Sequence, residues 1–359
     1  MSSELGNNLK ITIFGESHGT AIGMTMDGVP AGEAVDAAEI YAFMERRMGG
    51  KRFSTARKEA DLPHFLSGVR DGVTTGSPIC AVIENTNVRS KDYSALENKP
   101  RPSHADYPAW VKYGGFADAR GGGHFSGRLT APLCAAGAIC KQMLARHGIF
   151  VGAHIASVGQ IADARYDPVS VTAEELALAG GRAFPVLDEA AGEAMQAEIA
   201  AAAAEKDSVG GVVECAIVGL PVGLGEPLYG GVENRLSSAI FGLGAVRGIE
   251  FGDGFAAAAM RGSQHNDPYC IENGRVRTKT NRHGGVLGGM TSGMPVVFRV
   301  AFKPTPSIAQ PQQTVDLAKM EETTITIEGR HDPCIVPRAV PCVEAIAAII
   351  AMDLLLEKK

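Results

Sequence analysis

An α+β fold in a single domain is what this sequence predicts, on three observations. Segments of strand character and of helical character follow one another without the strict βα alternation that builds a doubly wound parallel sheet. The chain has 359 residues, 45% of them hydrophobic, enough for a large buried core. No internal repeat, low-complexity tail or linker interrupts it, so residues 1–359 are read as one domain.

The elements follow from local pattern. Leu9 to Phe14 alternates and is β-rich, which predicts a strand ending at Gly15, and Thr20 to Met26 also reads as strand. Asp36 can cap a helix over Ala37 to Met48. Ser77 to Glu84 reads as a strand. Thr130 to His147, alanine-rich and apolar, predicts a helix closed by Gly148, with a strand over Val151 to Gly159 after it. Helices are predicted at Thr172 to Leu178 and Asp188 to Lys206, where the alanine-dense run Glu198 to Lys206 is a plain helix face. Gly211 to Gly219 and Val296 to Phe302 read as strands, and Arg235 to Leu243 as a short helix. Val340 to Leu356 is the most apolar stretch; Glu344 and Asp353 interrupt it, so it reads as a buried helix and not a membrane span.

Composition narrows the function classes. A net charge of −6 argues against general nucleic-acid binding, which needs a basic field. The opening SSELGNNLKITIF has neither the basic start nor the apolar core of a signal peptide, so a cytoplasmic location is expected. The seven cysteines are odd in number and widely spread with no CxxC pair, which favours free thiols over disulfides or zinc.

Against that acidic background, arginine clustering is informative. Arg101 to Arg128 holds three arginines, two histidines and six glycines. Arginine forks recognise carboxylate and phosphate, histidine moves protons near neutral pH, and glycine lets backbone amides approach a ligand. Arg46, Arg47, Arg52, Arg57, Arg330 and Arg338 lie in or beside other such motifs. If they converge, they would bind a small molecule with two or three anionic groups; for Arg46, a helix-end cation complementing the dipole is the plainer reading. His18, His104 and His331 sit in dense polar motifs; His124 and His283 lie in glycine loops, where they could line a ligand. His64, His147, His154 and His265 read as structural or exposed. Asp332, between His331 and Pro333, is a candidate acid or base, or a turn former.

Five glycine-dense pieces stand at 15–23, 119–128, 242–254, 283–293 and 329–333. None is a G-x-G-x-x-G opening a helix, and none is a P-loop, so a conventional dinucleotide fold is unsupported, though several glycine loops could still surround one large planar ligand. Gly15 to Gly19 fits the G-x-S-x-G nucleophile elbow, which makes a serine hydrolase acting through Ser17 a rival reading. Two features oppose it: the motif comes after only about a dozen residues, and a strand, not a helix, is expected next. An anion- or flavin-binding module without turnover is a second rival.

Taken together, these motifs resemble the chorismate synthase family almost end to end. The resemblance is carried by FGESHG, DGVPAG, RRMGGKRFSTARKE, SGVRDGVTTGSPI, IENTNVRSKDYS, RPSHADY, RGGGHFSGRLTAP, AVRGIEFGDGF, RGSQHND, TNRHGGVLGGMTSGMPVVFRVAFKPTPSI and GRHDPCIVPRAVP. It implies a β-α-β sandwich, with antiparallel sheets packed around a helical layer. It also implies the lyase that closes the shikimate pathway toward the aromatic amino acids. That enzyme removes phosphate and a ring proton from 5-enolpyruvylshikimate 3-phosphate in a 1,4-anti sense to give chorismate. Reduced FMN is required without net redox change.

By the same resemblance, Arg47, Arg52, Arg101, Ser126, Arg128 and Arg330 match substrate-side positions. His104 matches a histidine that protonates reduced flavin, and His18 one placed near the departing phosphate. Asp332 matches an aspartate that helps take a proton at flavin N5. Flavin contacts carry over to His124, Phe125, Ser126, Gly244, Ala245, Gly288, Lys303, Pro304, Thr305, Pro306, Ser307 and Arg330. His124 departs from the pattern, since many members carry arginine there. The resemblance further implies a cytoplasmic homotetramer with no nucleic-acid or membrane partner. Some members reduce flavin themselves with NADPH; this chain shows no added segment, so an external reductant is expected.

Overall fold

The computed structural model describes residues 3–50, 53–54, 60–86, 98–327 and 331–357. Strands β1 (Glu4–Leu5), β2 (Lys10–Gly15) and β3 (Ala21–Asp27) form an antiparallel meander. Helix α1 (Ala37–Glu45) begins where the Asp36 carboxylate accepts from the amides of Ala38 and Glu39, as the sequence predicts. β4 (His64–Ser67), the small pair β5 (Val69–Arg70) and β6 (Val73–Thr74), and β7 (Ile79–Glu84) follow. The first large sheet runs β1-β2-β3-β7-β4, antiparallel throughout.

Two helices come next, α2 (Asp106–Lys112) and α3 (Thr130–Arg146). β8 (Phe150–Val158) and β9 (Ile161–Ala162) begin the second sheet. α4 (Ala173–Gly181) starts on a Thr172–Glu175 capping box, and α5 (Glu189–Ala204) on Asp188. Then come β10 (Gly211–Val218), α6 (Val232–Ile240), β11 (Val246–Phe251) and α7 (Gly262–His265). The hairpins β12 (Tyr269–Glu272) with β13 (Arg275–Thr278) and β14 (Val286–Leu287) with β15 (Met290–Thr291) lead into β16 (Val296–Phe302). β17 (Pro311–Asp316) pairs with β18 (Glu321–Thr326), and α8 (Val336–Glu357) ends the described chain. The second large sheet runs β11-β16-β10-β8-β9, again antiparallel.

The two sheets sandwich α3 and α8, and one apolar core includes Ile22, Met24 and Ile83 of the first sheet with Ile155, Val213 and Phe298 of the second. This is the α+β, β-α-β layering that the sequence and its family resemblance predict. α8 is long and apolar enough to cross a membrane by composition, but 89% of its apolar window is buried between the sheets. The two charges that interrupt it are both partnered. Glu344, 1% exposed, binds Arg46 (2.6 Å) and Lys141. Burial would push its carboxyl up, but Lys141 and Arg46 outweigh that and hold it at about 2. Asp353 accepts from the amides of Asn7, Asn8 and Leu9 and pairs with Arg235 at 2.7 Å, pinning the N-terminal segment to the last helix.

Local chemistry explains where sequence pattern and structure part. α8 begins at Val336, because Pro337 falls in its first turn, where a missing N–H costs nothing, and Pro341 is carried inside. The short helix expected at Arg235 to Leu243 lies at Val232–Ile240. β11 hides in a glycine-rich stretch, and the exposed hairpins β12–β13 and β17–β18 carry too little apolar alternation to be read.

Candidate active site

A cavity of about 660 Å³ opens between the helical layer and the loops that leave both sheets. His18 reaches it from the turn joining β2 to β3, and its Nδ1 lies 3.2 Å from Ser17 Oγ. That turn is pinned to the triple glycine, where the Ser17 amide donates to Gly123 O at 3.1 Å. Gly121 lies in the left-handed region at φ +59°, and a Cβ there would stand 2.3 Å from His18 Cε1. The glycine thus makes room for the imidazole itself.

Arg101, His104 and Asp106 form a second group at the start of α2. The Arg101 guanidinium donates to Asp106 through Nε (2.7 Å) and Nη2 (2.8 Å), and His104 Nδ1 lies 2.5 Å from the same carboxylate. Burial would raise Asp106, but the bonds from Arg101 and His104 hold it well below the usual carboxylate range. Asp106 therefore stays charged and favours Nδ1–H on the His104 ring, leaving Nε2 outside that bond.

Arg47, just past α1, and Arg128, just before α3, share the carboxylate of Asp61. All three are buried, at 3%, 6% and 3% exposure. Burial works against the Asp61 charge, yet Arg47 and Arg128 outweigh it and hold the carboxyl low. Arg128 is also steered by Asn85 Oδ1 (3.1 Å), and Arg47 by Thr130 Oγ1 (3.3 Å). On the α8 side, Arg338 donates to Asp332 at 2.6 Å and, through Nε, to the Arg47 carbonyl at 2.8 Å. Arg338 therefore ties a candidate acid–base group to a candidate anion-binding arginine.

The opposite wall comes from the second sheet. Leu243, Gly244, Ala245, Phe302, Pro306 and Ile335 give it an apolar surface, with Phe125 at the rim. Arg247 of β11 and Lys303 after β16 add two cations, and burial together with Arg247 lowers the Lys303 ammonium. Beside them, Thr305 Oγ1 is buried without a hydrogen-bond partner. His331, also in the wall, is kept toward its neutral form by burial and Arg101, and its Nε2 has no partner.

Of the residues expected at a site, the cavity gathers His18, His104, Asp332, Arg47, Arg101, Ser126, Arg128, Phe125, Gly244, Ala245, Lys303, Thr305, Pro306 and Ser307. Three expected contacts stand outside its lining. His124 points away, its Nδ1 2.9 Å from the Gly15 carbonyl and its Nε2 2.9 Å from Ser3 Oγ. Gly288 turns the β14–β15 hairpin, and Pro304 is skipped between its two lining neighbours. Arg52, Arg57 and Arg330 lie outside the described residues. His283 packs against Asp267 at 3.3 Å and not in the cavity, while Arg46 serves Glu344 and Arg120 pairs with Asp118 near the surface.

The nucleophile-elbow reading of Ser17 fails on geometry: β2 returns antiparallel as β3, so the motif is a hairpin turn and not a strand-to-helix elbow. Sequence reasoning gave no role to Asp61, Asp106 or Arg247, and Arg338 stood only in the arginine inventory. Asp106 sits two residues after His104 in RPSHAD and Arg247 lies in AVRGIEFGDGF, whereas Asp61 has no such local signal.

The arrangement can hold a ligand bearing several negative charges and deliver or accept protons at separate imidazole and carboxylate positions. Comparisons with known proteins point to one family. A family model described as chorismate synthase matches residues 9–356. A chorismate synthase of Thermococcus kodakarensis is 49% identical over 354 residues, covering 99% of this chain and 98% of the relative. One from Dehalococcoides mccartyi is 47% identical over 357 residues, with 99% and 97% covered. A crystal structure of a chorismate synthase superposes with a TM-score of 0.76 at 29% identity, covering 98% of this chain and 93% of the other.

Proposed function

The chain belongs to the chorismate synthase family, and from that premise we propose that its cavity eliminates phosphate and a ring proton from 5-enolpyruvylshikimate 3-phosphate, in a 1,4-anti sense, to give chorismate, with reduced FMN bound beside the substrate. The observation that carries this reading is the convergence of Arg47, Arg101, Arg128 and Arg338 with His18, His104 and Asp332 in one cavity of about 660 Å³. The substrate has one phosphate and two carboxylates, and arginine forks suit such groups.

The residues present also fit the flavin. Lys303 and Arg247 are like charges held close, which an anion between them relieves, and the orphaned Thr305 hydroxyl beside them lacks a partner. These suit a phosphate end, and the wall of Leu243, Ala245, Phe302 and Pro306 suits a flat ring system. When bound, reduced FMN supplies electron density to the allylic system as the carbon–oxygen bond breaks.

The chain's own side chains do the rest. Arg47 and Arg128, braced by Asp61, hold anionic groups and favour the charge that grows on departing phosphate. His18 stands ready with a proton on that side. His104, with Nδ1–H fixed on Asp106, presents Nε2 as a second position for proton transfer, a donor when the ring carries both protons. Asp332 accepts a proton while Arg338 orients it. The reading extends to an external source of reduced flavin, a homotetramer and a cytoplasmic location, with no nucleic-acid or membrane partner.

The test is phosphate release from the substrate, with and without FMN under reducing conditions. Release only with reduced flavin is expected. His104→Ala and Asp332→Ala should each slow it by roughly 10²-fold or more, the usual worth of a lost acid or base, while FMN titration shows the cofactor still bound. Release without flavin, or near wild-type rates in both variants, would overturn the assignment.

A further inference from the structure

Two cysteines meet at the floor of the cavity where the central helices touch. Cys134 of α3 and Cys342 of α8 bring their sulfurs to 3.9 Å. The contact is held by the backbone, because one turn further along each helix Gly137 packs on Ala345, so closely that a Cβ on Gly137 would stand 2.3 Å from the Ala345 methyl. Cys342 is part of the cavity lining, whereas Cys134 is wholly buried behind it.

The surroundings divide the two chemically. Cys342 lies near the charges of Arg47 and Arg338 and the Thr130 hydroxyl, accepts from the Cys134 thiol, and donates its own thiol proton to the Arg338 carbonyl at 3.3 Å. The bond from Cys134 first, and the guanidinium charges after it, outweigh burial and lower the Cys342 thiol toward thiolate, while Cys134 is pushed up. The other buried cysteines lack this setting: burial pushes Cys334 up to about 12 and raises Cys140 and Cys215.

We propose that Cys342 and Cys134 form a peroxide-sensitive dithiol in the cavity floor, Cys342 being oxidised first and Cys134 resolving it to an intramolecular disulfide. The ligand class is a hydroperoxide small enough to enter the cavity, with hydrogen peroxide the simplest. The Cys342 thiolate attacks one peroxide oxygen and the O–O bond breaks. The departing hydroxide takes the proton given up by Cys342 and leaves as water, with Cys342 now a sulfenic acid. The Cys134 sulfur attacks that sulfur and the S–O bond breaks. The second hydroxide leaves as water with the Cys134 proton. Two thiols lose two electrons, and one peroxide becomes two waters. Bond formation requires the sulfurs to close from 3.9 Å to about 2.05 Å. The proposal stands whatever else the cavity binds.

Full-length protein is exposed to equimolar hydrogen peroxide, quenched with an alkylating agent, digested and analysed by mass spectrometry. Loss of two of the seven thiols is expected, with one disulfide-linked peptide pair containing Cys134 and Cys342, reversed by dithiothreitol. Cys134→Ser should stop at a Cys342 sulfenic acid that dimedone traps, and Cys342→Ser should keep its remaining thiols under the same dose. Retention of all seven thiols in the unsubstituted protein would overturn the proposal. So would a disulfide between other cysteines, or a Cys134→Ser protein that folds yet gives no dimedone adduct at Cys342.

Discussion

A single glycine sets the position of one candidate catalytic imidazole. Gly121 has φ +59°, and its missing side chain is the space that the His18 ring fills. Alanine there costs about 1–2 kcal/mol for the left-handed backbone alone, a tolerable loss for a domain this size. The larger effect is positional, since a displacement of about 1 Å at a reacting group can cost 10²-fold in rate. Gly121→Ala is therefore expected to lower turnover about 10²-fold while the melting temperature falls by only a few degrees. A variant with unchanged turnover would show that His18 is not placed by this contact. At this scale most cations of the cavity, though not Arg247, were legible because arginine and histidine announce their chemistry by type. The carboxylates that brace them were not. Asp61 lies 14 residues from Arg47 and 67 from Arg128, so only the fold reveals that one buried acid serves both.

Elements were legible where one face is apolar and a cap is present, as in α1, α4 and α5, each of which begins where a side-chain oxygen marks it. α2 was missed because its seven residues carry almost no apolar periodicity. The α3–α8 contact gives a prediction with competing terms. Gly137→Ala should gain roughly 1 kcal/mol in helix propensity, but the new methyl would meet the Ala345 Cα at 2.4 Å, which is backbone and cannot swing aside. Overpacking of that kind costs about 1–3 kcal/mol, so net destabilisation is expected in denaturant melts; a stabilised variant would show that the helices separate freely. The second sheet carries its own test on its outer face. His154, wholly buried on β8, lies 3.0 Å from both Asp163 and Glu214. Burial opposes its charge, but the two carboxylates prevail and raise it above 6.5. A group raised on folding stabilises fully below its unfolded value and loses that contribution as pH climbs through the folded value. The stability gap between the parent and His154→Gln should thus be widest at mildly acidic pH and shrink into the alkaline range. A gap that widens with pH would mean that the ring is buried neutral.

For the whole molecule, the α+β class was legible from the irregular order of elements, whereas the layering came from the family resemblance. Periodicity says which face of a strand is buried but not which helix covers it, and here the first sheet packs chiefly on α3 and the second chiefly on α8, with the two helices packed on each other. That packing bears on domain count. Ile22 and Met24 of the first sheet, Ile139 and Ile346 of the two helices, and Val213 and Phe298 of the second sheet belong to one continuous core. Neither sheet can leave without exposing one of these two packed helices, and the N-terminal segment is tied to α8 through Asp353. The chain is therefore expected to unfold as one unit despite a length at which separate domains are common. Scanning calorimetry of the full chain should give one transition, with near-ultraviolet and far-ultraviolet dichroism changing together. Two resolved transitions, or a protease-resistant fragment holding one sheet alone, would show that the sandwich is two domains sharing a helical seam.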